Sequence, residues 1–269
     1  MFTLGTFPIA FTVVTLLAII SLKFRIFDKT GAIASWIIGI LVFMFGGWKW
    51  FILLFSFTAI ASAFTKYEYS AKSRLGYAEP KGGARSWKNV VANGSIATIL
   101  SILEGICALD LLVAGFLGAV GTAFADTLAT EIGLLYKGNP RLITNLKKVP
   151  PGTSGAISPL GEAAMFLSIA ALTILAYVLN VANLSLIELF ALITISSVVG
   201  ATIDSFLGAT VQAKFICPIC GRVVETTTHC NVKARHLSGI KLFNNHVVNL
   251  VSTFLGALTA ILAYVALLA

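Results

Sequence analysis

Charge is scarce in this sequence. Only 11% of its 269 residues are Asp, Glu, Lys or Arg, while 58% are hydrophobic. A soluble domain carries about a quarter charged residues, so this surface cannot face water everywhere. No basic segment precedes the first apolar run and no convincing cleavage site follows it, so a retained first span is expected rather than a signal peptide. Cysteine is sparse too: there are four, with a single Cys-x-x-Cys pair.

What is abundant is apolar sequence in runs long enough to cross a bilayer. Eight such runs are expected as helices, at about 4–22, 31–45, 48–64, 89–104, 111–136, 155–178, 186–212 and 245–268. The second is short for a span. The break at Gly46-Gly47 leaves a kinked, hairpin-like pair, and seven spans, as the alternative. The fold class is therefore an all-α polytopic membrane bundle, read as one domain over 1–269 with functional loops at 137–154 and 213–243.

The few basic residues are placed unevenly. Eighteen of the 19 lie in alternate loops, and Lys49 is the exception. The opposite loops carry Glu104, Asp110 and Glu188. By the positive-inside rule the basic loops are cytoplasmic and both termini are outside. The alternation also favours an even number of spans. The net charge of +8 is thereby accounted for by a basic membrane face, without nucleic acid as a partner.

Two helical stripes carry an acid inside apolar sequence. One reads Ala114, Gly118, Thr122, Asp126, Thr130; the other reads Ser196, Gly200, Asp204, Gly208, Gln212. A four-residue recurrence keeps each stripe near one side of its helix. Small residues let helices approach closely, and an acid among them needs a partner, water or a cation. Glu131 lies five residues beyond Asp126, roughly 140° round the helix, so the two share one ion only if the helix unwinds. Carboxylate oxygens suit Mg²⁺, and Thr127 and Ser205 add hydroxyls. The alternative is pairing with Lys or Arg at the membrane edge, which suits Glu131 better than the deeper Asp126 and Asp204.

The loop after the fifth run holds Lys147-Lys148-Val149-Pro150-Pro151-Gly152-Thr153-Ser154-Gly155. Thr153 or Ser154 is positioned to cap the next helix, and free N–H groups there with nearby lysines would suit phosphate. It is not a Walker A sequence, and a capped helix with snorkelling lysines is the plainer alternative. Asn89 and Asn93, and Asn244, Asn245 and Asn249, form amide clusters at the starts of two spans. They either cross-link helices or read a base, ribose or phosphate. Cys217, Cys220 and Cys230 with one histidine, His236 being the expected partner, would complete a tetrahedral structural Zn²⁺ site. Cys107 stands apart near the outer face.

The blocks Ala125–Gly133, Val149–Gly155 and Ile203–Gln212 resemble, in order, three motifs of an integral membrane family. That family includes animal transmembrane protein 19 and the plant phytyl-phosphate kinase. Val91–Gly94 and Asn244–Asn249 look like two further motifs. The resemblance implies phosphoryl transfer from a nucleoside triphosphate, CTP being expected, to an isoprenyl monophosphate such as phytyl or geranylgeranyl phosphate. It assigns Asp126, Asp204 and Glu131 to Mg²⁺–nucleotide. Lys147, Lys148, Gly152, Thr153, Ser154 and Gly155 would hold phosphates, with Asn93, Thr127, Ser205, Asn245 and Asn249 nearby. Membrane lipid surrounds the site. A prenyl monophosphate is already an anionic nucleophile and needs no base. A kinase of the free alcohol would need one, and a cation- or proton-coupled transporter is the rival class.

Overall fold

Each apolar run folds as a helix, and their ends follow local chemistry. The computed structural model describes residues 4–75 and 80–268. The two chain ends, whose side was an expectation, lie outside the described residues.

Helix α1 (Phe7–Lys23) has a proline, Pro8, in its first turn, and α2 (Lys29–Phe45) is capped by Asp28, whose carboxylate accepts from Gly31 N. α3 (Gly47–Lys66) follows at once through Gly46 and Gly47. Gly47 has φ +80°, and a Cβ on Gly46 would lie 2.7 Å from Ser101 Oγ, so both glycines are required at the corner. Two short segments, α4 (Tyr69–Leu75) and α5 (Pro80–Gly83), lead to α6 (Trp87–Cys107) and α7 (Asp110–Gly133). α8 (Pro159–Val178) and α9 (Leu186–Thr210) follow, and α10 (Asn245–Leu268) closes the bundle.

Six of these helices are long and apolar enough to cross a membrane. α1 and α2 are apolar but 17 residues each, about 25 Å. That is short of a hydrocarbon core roughly 30 Å thick. The eight helices therefore match the eight expected runs, whereas six meet the length of a span.

α7 is the hub. Every residue from Leu112 to Ala125 is buried, and the helix packs against α3, α6, α8, α9 and α10. A helix buried all round sits at the centre of a bundle. Small residues permit this. A Cβ on Gly200 of α9 would lie 2.3 Å from Thr122 Oγ1, and one on Gly256 of α10 2.0 Å from the same atom. Thr122 is thus wedged between two glycines. The outer helix faces are apolar and exposed, as at Ile187 and Val178, which suits lipid.

The loops are not all irregular. β1 (Arg141–Leu142) pairs antiparallel with β2 (Ala156–Ile157). β3 (Lys214–Ile216) is flanked by β4 (Val223–Val224) and β7 (Arg235–Ser238), while β5 (Thr228–His229) and β6 (Val232–Lys233) form a hairpin. Expectation for α8 therefore shifts: it begins at Pro159, not near 155. Gly155 has φ +77°, Ala156 and Ile157 are extended, and Ser158 is the cap, accepting from Gly161 N at 3.1 Å. Thr153 and Ser154 do not cap it.

The basic loops meet at one end. Asp28 N donates to Arg85 O, Lys66 reaches Phe24 O, Lys72 pairs with Glu131, and Ser154 donates to Glu225. At the other end Lys49 Nζ donates to Asn180 O.

Candidate functional site

The carboxylates come together where α7, α9 and α10 meet these loops. Asp126 on α7 and Asp204 on α9 lie close enough for their charges to repel, and Glu225 adds a third negative charge to both. Asp204 Oδ2 accepts from Ser252 Oγ of α10 at 2.9 Å. Glu225 Oε1 accepts from Ser154 Oγ at 2.6 Å. Among the described residues neither Asp126 nor Asp204 has an ion pair with Lys or Arg.

Glu225 reaches solvent as a residue, yet the surrounding protein desolvates its carboxylate and pushes its pKa up. Ser154, Gln212 and Lys214 pull it back in part. Lys214 is in turn held below the usual lysine range by burial. Glu225, Lys214 and Ser252 were missed from sequence. Glu225 lies in the Cys/His loop, five residues after Cys220, and that position was the available signal.

The loop over 147–155 touches this cluster from one side. Gly155 lies flat on α9, where a Cβ would stand 2.3 Å from Ser205 O and 2.5 Å from Ala209 N. That contact sets Ser154 on Glu225. Thr153 Oγ1 bonds back to Pro150 O, and Gly152 supplies a turn with φ +79°. Lys147 and Lys148 are exposed, and neither is a partner of the three acids. Thr127 and Ser205, next to the aspartates, are half-buried.

Glu131 belongs elsewhere. Its carboxylate accepts from Lys72 Nζ and from Thr65 Oγ1, both at 2.7 Å, and Arg85 donates to the same threonine. Lys72 is only 1% exposed, so this is a buried tie between α4 and α7.

The amides form a chain toward the acids. Asn249 Nδ2 donates to Asn93 Oδ1 at 3.3 Å, and Ser252 Oγ, which also reaches Asn249 O, donates to Asp204. Asn93, with Asn89 and Arg85, forms the polar end of an apolar groove lined by α1, α2, α3 and α6. Asn245 opens α10, whose first N–H groups are taken by Asn244 Oδ1. One connected path thus runs from an apolar groove to a carboxylate pair.

The cysteine loop gathers four ligand atoms, but with a different histidine. Cys217, Cys220, His229 and Cys230 lie with these atoms all within 4.8 Å of one another. His236, the residue expected from sequence, instead bonds Gly239 O and stands edge-on to Phe215. Strand β7 carries it onto that ring, away from the thiols. The N–H of Cys220 and then His229 draw the Cys217 thiol down to about 6, while burial and the neighbouring sulfurs push Cys230 up to about 11.

A family model described as "Integral membrane protein DUF92" matches residues 12–257. Protein PGR of Arabidopsis thaliana is 29% identical over 93% of this chain and 93% of its own length. An uncharacterized membrane protein of Synechocystis is 30% identical over 84% of this chain and 78% of its own. The chloroplastic Protein VTE6 of Arabidopsis thaliana is 29% identical, covering 87% of this chain and 64% of its own. No solved structure matches the chain.

Proposed function

The chain belongs to the DUF92 integral membrane family, and from that premise we propose that it is a prenyl-phosphate kinase. In this reading it transfers a phosphoryl group from a nucleoside triphosphate, CTP by preference, to phytyl or geranylgeranyl monophosphate. The observation that carries the reading is the join between an apolar groove and a carboxylate site, through Asn93, Asn249 and Ser252. The motif resemblance to the family of the plant phytyl-phosphate kinase supports it.

The donor set fits Mg²⁺. Three carboxylates converge, their charges repel, and no Lys or Arg neutralises the two aspartates among the described residues. A hard cation completed by phosphates and waters resolves that repulsion. Asp126, Asp204 and Glu225 would hold it, and it would neutralise charge on the transferring group. Ser252 fixes the Asp204 carboxylate, and Ser154 fixes Glu225.

The prenyl chain lies in the groove between α1, α2, α3 and α6. Arg85, Asn89 and Asn93 hold its phosphate at the mouth and turn it toward the aspartates. Little covalent work falls to the protein, because the acceptor phosphate is already a nucleophile. Gly152, Thr153, Lys147 and Lys148 form the rim from which the nucleotide enters. Glu131 keeps α4 docked. In this reading the basic loops, and the chemistry with them, face the cytoplasm, in keeping with the positive-inside rule.

The test is a panel assay. Protein purified in detergent is given Mg²⁺, CTP or ATP, and prenyl monophosphates of several lengths. A diphosphate product, lost with EDTA, is expected. No product from any pair, with folding verified, would overturn the reading.

A further inference from the structure

The loop that carries Glu225 has too little core to hold its own shape. Among the described residues its buried apolar cluster is Ala213, Phe215 and Ala234, with Val224 against them. A segment this small ordinarily needs a disulfide or a metal. All four cysteines of the chain are free thiols here.

Two tight turns converge in place of a core. In the first, Cys217-Pro218-Ile219-Cys220-Gly221 closes on itself, with Gly221 N donating to Cys217 O at 3.0 Å and Gly221 at φ +69°. In the second, the two-residue loop of the β5–β6 hairpin holds Cys230 at φ +50° and Asn231 at φ +58°. That is the backbone of a type I′ turn, an unfavourable one for cysteine. Together the turns set His229 Nδ1 at 3.3 Å from Cys230 Sγ and 3.5 Å from Cys220 Sγ. Tetrahedral zinc with bonds of about 2.3 Å to sulfur and 2.0–2.1 Å to nitrogen puts sulfur and nitrogen roughly 3.5 Å apart.

We infer that Cys217, Cys220, His229 and Cys230 bind one structural Zn²⁺, and that this ion clamps Glu225 against the aspartate pair. Glu225 lies between the two pairs of ligands, so the ion closes the chain on both sides of it. The site has four protein ligands and no open position, so it holds structure and performs no chemistry. Binding displaces the thiol protons, and three thiolates with one imidazole then surround the dication. His236 takes no part. The clamp's effect on turnover rests on the kinase reading; the zinc site does not.

The test separates the two. Full-length protein, purified without chelator, is assayed for metals by mass spectrometry, and amide exchange is followed across 221–233. About one zinc per chain is expected, and Cys107→Ser and His236→Ala keep it. Cys220→Ser and His229→Ala lose it, and exchange over 221–233 rises in these variants while α7 and α9 stay protected. Stripping the wild-type protein with a chelator gives the same exchange pattern without any substitution. Wild-type protein that carries no zinc, or that keeps it when His229 is replaced, overturns the inference. Zinc present with no kinase activity in any condition leaves the metal site standing and removes only the kinase reading.

Discussion

Asp126, Asp204 and Glu225 carry the account at the scale of single residues. Asp126→Asn and Asp204→Asn are each expected to abolish phosphate transfer while the protein stays inserted and folded, checked by assay beside thermal unfolding. Ser252→Ala removes only the group that orients Asp204. It should raise the Mg²⁺ concentration for half-maximal rate by about tenfold or more, read from a Mg²⁺ titration of rate. Asp28 shows a stability effect with a definite pH sign. Lys81, then Thr30 and Gly31 N, hold its carboxyl well below the usual range. A depressed folded pKa means that its stabilisation is fully present above the ordinary value near ~4 and fades as the pH falls below it. Lys81 is 67% exposed, so most of the effect is the cap itself. Asp28→Ala should cost about 1 kcal/mol at neutral pH, measured by thermal unfolding in detergent, and less below pH ~3. The two aspartates were legible from sequence because an acid in an apolar helix stands out. Glu225 was not, because it lies in a polar loop where an acid is unremarkable and only folding brings it to α7 and α9.

Between elements, the small-residue stripes are the central feature. They were legible because a four-residue recurrence of Gly, Ala, Ser and Thr has few uses other than close packing. The partner was not legible: Thr122 meets Gly256 of α10 as well as Gly200 of α9, and the shorter α10 stripe of Ser252, Gly256 and Ala260 carries no acid to mark it. Gly200→Ala should destabilise by about 1–3 kcal/mol through overpacking, with Thr122→Ala restoring part of the loss in a double-mutant cycle. Independent additive losses would contradict the wedge. Glu131 shows how a motif misleads. It sits in the same block as Asp126, yet its direction on the helix turns it to Lys72 of α4. Glu131→Gln should cost about 3 kcal/mol by stranding a buried ammonium, with turnover per folded molecule nearly unchanged. A large loss of turnover in a protein of normal stability would return Glu131 to the reaction site. The start of α8 was displaced from expectation for a local reason, since the positive φ of Gly155 and the ring of Pro159 fix the chain between them.

For the whole molecule, the sequence displayed the bundle and the clustering of loops because lipid tolerates so few charges. Basic residues placed in alternate loops end up at one end of the fold, where those loops bond to one another. The number of crossings is less legible: α1 and α2 are apolar but 17 residues each, at the short end for a span, as the second run already showed in sequence. The β-structure of the loops was not legible, since strands of two to four residues leave no periodicity to read. With the basic loops facing the cytoplasm, as proposed, the carboxylate site opens to that side alone. An impermeant maleimide applied to intact cells should therefore label Cys107, exposed at the opposite end, and spare a variant that combines Cys107→Ser with Lys148→Cys. Access that alternates between the two sides would favour a transporter instead. The most direct measurement follows a radiolabelled terminal phosphate from CTP in protein reconstituted with geranylgeranyl monophosphate and Mg²⁺. The account predicts labelled diphosphate from the wild-type chain and none from Asp126→Asn of equal stability; equal labelling by both proteins would contradict it.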